Sequence, residues 1–226
     1  MQNPIWSPDG AQIFALDLSR GIGIFQLITT SIASGDVVDV RRPPTFVKPM
    51  GWTRDGQLVW IEFVVSLRPV TTVWRLPPGG EPVPVIEDGA FTNEARVSPD
   101  GRWIAFSSSR SGRFQIEVTT FAARGPRYQV SIDGGGYPRW RADGRELYFL
   151  SEDSRLMAAS FSPGSPPAIG TPTPLFEVRL SAHPDRNFFA AYEYDVDADG
   201  ARFLVNRLVT PPETSLTVIT GWTPPR

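Results

Sequence analysis

The chain has 226 residues, 41% of them hydrophobic and 20% charged, with 22 Lys plus Arg against 24 Asp plus Glu and a net charge of −2. Such a balance describes a globular protein long enough to bury a sizeable core, and it offers no electrostatic footprint for nucleic acid or an anionic membrane. Cysteine is absent, which excludes disulfides, thiolate nucleophiles and cysteine-held metals, and no apolar stretch approaches the roughly 20 residues that span a bilayer as a helix.

The N-terminus, Met1-Gln2-Asn3-Pro4-Ile5-Trp6, has neither the basic start nor the apolar stretch of a signal peptide. It enters a first repeat directly, as expected of a domain taken from a longer polypeptide. That repeat is Trp6-Ser7-Pro8-Asp9-Gly10, followed by an apolar strand at Ile13–Leu16. Four more copies follow: Trp52 to Asp55-Gly56, Val97 to Asp100-Gly101, Trp140 to Asp143-Gly144, and Val196 to Asp199-Gly200. The aspartates are 46, 45, 43 and 56 residues apart, and a period of roughly 40–50 residues is that of a four-stranded propeller blade. In the second copy Arg54 stands where the first and third have Pro8 and Pro99.

Each copy predicts the same blade. The Asp-Gly pair reads as a tight hairpin turn in which both residues tolerate positive φ. Second strands follow at Leu58–Ile61, Trp103–Phe106, Leu147–Leu150 and Phe203–Val205. Third strands are expected near 23–27, 72–76, 115–118, 156–159 and 216–219, and fourth strands near 37–40, 82–86, 128–132 and 175–178. Ser160–Pro174 reads as a surface excursion. With 23 prolines and 20 glycines spread along the chain, long helices are not expected. The predicted fold is all-β, a β-propeller of four-stranded antiparallel blades at 1–45, 46–89, 90–134, 135–186 and 187–226. The last copy stops at Trp222 without a fourth strand, so the five blades are expected to form part of a ring of six or more.

Two resemblances follow from these residues. Ser98-Pro99-Asp100-Gly101-Arg102-Trp103-Ile104-Ala105-Phe106 resembles the Pro-Asp repeat of TolB-like propellers. Gly134-Gly135-Gly136, Pro138-Arg139-Trp140, Asp143-Gly144-Arg145-Glu146-Leu147-Tyr148 and Tyr194-Asp195-Val196 resemble a narrower group: the C-terminal propeller of bacterial receptor-type serine/threonine kinases and some membrane-anchored transcription regulators. The second resemblance implies an extracytoplasmic, periplasmic-side module separated from its kinase domain by a membrane helix.

No catalytic set is legible in the chain itself. Gly21-Ile22-Gly23 lacks the third glycine of a kinase loop, His-Arg-Asp and Asp-Phe-Gly are absent, and so is Gly-x-Ser-x-Gly. The single histidine, His183, reads as a loop residue. Asp195-Val196-Asp197-Ala198-Asp199-Gly200 imitates a calcium loop, but Asn206 stands where a bidentate Glu is needed, so a hairpin is the expectation. Trp6, Trp52 and Trp140 share one repeat position and are expected between blades. Neither a cofactor nor a metal is called for.

Binding residues are sought on the innermost strands, where side chains alternate. One and three residues before the Trp6-type position lie Glu94, Arg96, Tyr137, Arg139, Glu193 and Asp195. Charges there should face channel water or pair with one another. The first two blades offer only Asn3, Ile5, Pro49 and Gly51, which makes the charge lopsided. The expected partner is a protein, peptide or small ligand at the channel or a propeller face, and reversing Arg96 and Arg139 to Glu should remove capture without unfolding. The expected role is a non-catalytic sensing module; an accessory propeller of a prolyl-oligopeptidase-like peptidase and a TolB-like envelope adaptor are the alternatives.

Overall fold

The computed structural model describes residues 2–19, 21, 24–64, 69–122, 125–178 and 194–206. These form four complete antiparallel sheets and the start of a fifth, with no helix among the described residues. Blade one comprises β1 (Gln2–Trp6), β2 (Gln12–Asp17), β3 (Gln26–Ser31) and β4 (Val37–Arg41). Blade two has β5 (Phe46–Trp52), β6 (Leu58–Val64), β7 (Val70–Leu76) and β8 (Val83–Ile86). Blade three has β9 (Thr92–Val97), β10 (Trp103–Ser108), β11 (Gln115–Thr120) and β12 (Tyr128–Gln129). In blade four, β13 (Gly136–Trp140), β14 (Glu146–Leu150) and β15 (Arg155–Ser162) are joined by β16 (Ala168–Ile169) and β17 (Thr173–Glu177). The hairpin β18 (Tyr194–Val196) and β19 (Phe203–Val205) opens blade five. The predicted third strand near 216–219 lies outside the described residues, as do His183 and Glu193.

The core is a series of layers between blades. Phe14, Leu16 and Leu27 of blade one meet Val47, Leu58 and Trp60 of blade two. Val59, Ile61 and Val73 meet Ala95, Ile104 and Phe106, and Ile116 and Val118 meet Leu147 and Phe149. Tyr148 and Leu156 meet Tyr194. Each blade therefore buries both faces only when stacked, which is why the sequence repeats its apolar strands. Trp52 packs edge-on against Phe14, and Trp140 lies in the layer between blades three and four. Trp6 departs from its equivalents at 58% exposed.

Two expectations are corrected. Ser160–Pro174 is a surface excursion only in part: its middle is exposed and outside any strand, but β15 extends through Phe161 and Ser162, and β16 pairs with that extension. Phe161 is thereby placed at 5.3 Å from the Trp103 ring and 5.0 Å from that of Trp140. The Asp-Gly turns are likewise not built on two positive-φ residues. Only the glycines occupy that region, with φ between 70° at Gly144 and 84° at Gly56. The aspartate works through its side chain. Asp9 Oδ1 accepts from Ser7 Oγ at 2.6 Å and from the Ala11 amide at 3.0 Å, while the Gln12 amide donates to Ser7 Oγ. Asp100 repeats this with Ser98 and Arg102, and Asp55 uses Thr53 and Gln57. In these three copies a hydroxyl two residues before the aspartate organises the turn, as short polar side chains do by bonding nearby backbone; Arg141 and Asp197 stand there in the other two. The same loop recurs unannounced between β14 and β15, where Ser151 Oγ donates to Asp153 and Ser154 takes the glycine's place at φ 63°.

Candidate functional site

The innermost strands bring ionisable groups of three blades together. Lys48 on β5 donates from Nζ to Glu94 Oε1 on β9 at 2.6 Å. Arg96 Nη2 lies 3.3 Å from Glu94 Oε2, and Arg139 Nη1 of β13 lies 4.0 Å from the same oxygen. Arg96 also donates to the carbonyls of Met50 and Ala95, and Arg139 to that of Pro138. Blade five closes the group: Arg139 stands over the Tyr194 ring at 5.6 Å, and Tyr194 donates its hydroxyl to the Tyr137 carbonyl at 2.9 Å.

Burial by itself raises the Glu94 carboxyl; Lys48, Arg96 and Arg139 together outweigh it and hold its pKa at about 2. Burial raises the Tyr194 phenol far above its ordinary value. Both groups keep a fixed protonation state near neutrality, so neither is poised to exchange a proton.

Glu94, Arg96 and Arg139 therefore meet as their positions suggested, but at the expected water-facing places Glu94 is 2% exposed and Arg139 6%. Tyr137 is buried beside them and takes part through its carbonyl. Asp195 does not join; it is exposed, and its Oδ1 accepts from the Val196 amide. Glu193 lies outside the described residues. Lys48 was missed, and the cause is a bulge. Pro49 pairs with Trp60 and Gly51 with Val59, leaving Met50 as an extra residue, so Lys48 rather than Pro49 comes level with Glu94. Blade two thus contributes a cation, which corrects the expectation that it offers only uncharged residues; no blade-one residue joins these ion pairs among the described residues. The expectation that reversing Arg96 and Arg139 spares the fold is also corrected, because two new carboxylates beside buried Glu94 would lack compensation.

The acidic run is a hairpin. Asp197 accepts from the Ala201 and Arg202 amides and pairs with Arg202 Nε at 2.8 Å, while Asp199 accepts from Ala201. No group of three or more His, Cys, Asp or Glu arranged for a metal occurs among the described residues.

A groove of about 500 Å³ opens between blades three and four, on the rim opposite the Asp-Gly turns. Phe149, Met157 and Pro174 supply its apolar lining; its charged lining is Glu152 with Arg113 paired to Asp133 and Arg155 paired to Asp153. Its one hydroxyl, Ser151, is engaged by Asp153 and the Arg155 amide. Sequence reasoning missed this groove because its residues come from several loops and from β14, β15 and β17, with no shared motif.

Fold comparisons agree with this stacked-blade geometry. TolB from Acinetobacter baumannii superposes with a TM-score of 0.62 at 18% identity, over 80% of this chain and 44% of that one. The fold is that of TolB-like β-propellers. The putative TolB from Agrobacterium tumefaciens gives a TM-score of 0.62 at 20% identity, over 78% of this chain and 65% of that one. A prolyl endopeptidase gives 0.50 at 21% identity, over 74% and 27%. This chain thus spans 44–65% of the length of the two TolB proteins. No family model matches the chain, and no curated protein does.

Proposed function

We propose that the chain is a non-catalytic interaction module that captures a protein, peptide or small ligand, and that it forms the C-terminal sensor part of a bacterial serine/threonine kinase or membrane-anchored regulator. The observation that carries the first half is the groove between blades three and four. It joins an apolar lining to charged groups, a common make-up of binding sites, and its hydroxyl is spent on a turn. The buried ion cluster around Glu94 supports the same reading, since its groups stabilise the inner strands rather than face a substrate. The second half rests on the residue resemblance that runs from Gly134-Gly135-Gly136 to Tyr194-Asp195-Val196.

The coding sequence on either side tests the assignment. An upstream kinase domain followed by one membrane helix is the expected result. A downstream Gly-x-Ser-x-Gly hydrolase domain would overturn it in favour of a peptidase's accessory propeller, the second reading that the prolyl endopeptidase likeness favours. A signal peptide with neither domain would favour a TolB-like adaptor. For the groove, reversing Arg113 and Arg155 to Glu should abolish partner capture while thermal stability stays within a few degrees of wild type.

A further inference from the structure

The residue before the repeat aspartate is Pro8, Pro99, Ala142 and Ala198 in four copies and Arg54 in the second. The structure places this departure at the rim of a cleft of about 260 Å³ between blades two and three, on the face of the Asp-Gly turns. Trp52, Val97 and Pro99 line the cleft together with Arg96, and the lining contains no carboxylate. The Asp55 carboxylate next in the chain is turned into its own loop, accepting from Thr53 Oγ1 at 2.6 Å and Gln57 Nε2 at 2.8 Å, and the cation that acts on it is Arg75. Arg96 already shares its charge with Glu94. Arg54 is exposed and enters no ion pair among the described residues.

We propose that this cleft binds an organic monocarboxylate carrying one aromatic or branched apolar unit. The carboxylate pairs with the Arg54 guanidinium, whose planar fork matches two oxygens, and the apolar unit lies against Trp52, Val97 and Pro99. A single exposed cation matches a single negative charge. The volume falls below the roughly 300–1,000 Å³ of sites that take drug-sized ligands, which limits the apolar part to about one side chain. Two sources carry this chemistry: a free small acid and the C-terminal carboxylate of a polypeptide ending in an apolar residue.

Calorimetry on the whole chain tests it with 3-phenylpropionate, its amide, and the tripeptide acetyl-Gly-Gly-Phe as acid and as amide. The acids should bind and the amides should not. Arg54→Pro, which restores the residue of the first and third copies and so keeps the turn, should weaken acid binding at least about tenfold. Arg54→Gln should do the same without altering the backbone. Preference for the tripeptide acid assigns a polypeptide terminus, and preference for 3-phenylpropionate a small metabolite. Equal affinity for acid and amide, unchanged binding in both variants, or no binding of either acid at millimolar concentration would overturn the proposal. The groove variant with Arg113 and Arg155 reversed should leave acid binding intact, so failure here and failure of the groove reading are told apart.

Discussion

Lys48 and Glu94 lie on the inner strands of adjacent blades, 2.6 Å apart from Nζ to Oε1, with their side chains 4% and 3% exposed. At this depth a lone charge costs several kcal/mol, and only its partners make it tolerable. Among the described residues, Glu94 is the anion that Lys48, Arg96 and Arg139 share. Glu94→Gln should therefore lower unfolding stability by about 3–5 kcal/mol, the usual cost of removing one partner from a buried ionic group. Urea denaturation checks this, and a loss under about 1 kcal/mol would sink it.

Removal of Lys48 should cost less. In Lys48→Met the carboxylate keeps Arg96 at 3.3 Å and Arg139 at 4.0 Å, and the methionine retains most of the buried stem. A loss of about 1–3 kcal/mol is expected, smaller than that of Glu94→Gln in parallel urea curves. The reverse ranking would mean that Lys48, not Glu94, is the hub.

Acid should erode the same contribution. The Glu94 pKa is about 2 in the folded chain against an ordinary 4.5. Because the folded value is the depressed one, the unfolded chain binds the proton more readily. The stabilisation is complete above pH 4.5 and is lost as pH falls towards about 2. The stability gap between wild type and Glu94→Gln should narrow across that window, and a constant gap would show that the charge is not what stabilises.

The four-stranded blades and the apolar layers were legible in the sequence because each rests on repetition: Trp140 takes its place between blades as its repeat position implied. The site was half legible. Glu94, Arg96 and Arg139 follow from strand alternation, whereas Lys48 does not, since the extra residue Met50 changes the parity of β5 and nothing in the local sequence marks it. The turns show the opposite case. The Asp-Gly pair marks the turn, but the bonds from Ser7, Thr53 and Ser98 to their aspartates organise it alongside the glycine's φ and are not legible from the pair itself.

That turn geometry predicts a stabilising change. Ser154 holds φ 63° in the loop where Asp153 receives the Ser151 hydroxyl, the place glycine fills in the five Asp-Gly copies. A left-handed conformation costs a non-glycine residue roughly 1–2 kcal/mol, and glycine's greater unfolded freedom returns part of that. Ser154→Gly should gain about 0.5–1 kcal/mol, read as a raised urea midpoint with an unchanged slope. A lower midpoint would refute the equivalence of the two loops.

Gly135, behind the groove, is a packing position rather than a conformational one. A Cβ there would lie 2.8 Å from Phe149 Cδ2, 3.1 Å from Ile116 Cγ1 and 3.2 Å from the Leu150 carbonyl oxygen. Phe149 and Ile116 belong to the layer between blades three and four, where neither ring nor branch has room to retreat. Ser107 also donates to the Gly135 carbonyl at 3.1 Å, pinning the backbone from blade three. Gly135→Ala should cost about 1–3 kcal/mol by overpacking and should push Phe149 into the groove that it lines. Ligand capture at the groove should then weaken more than binding at the Arg54 cleft, measured at a temperature where the variant remains folded. An alanine accepted without loss would mean that the blades are spaced more loosely than these contacts require.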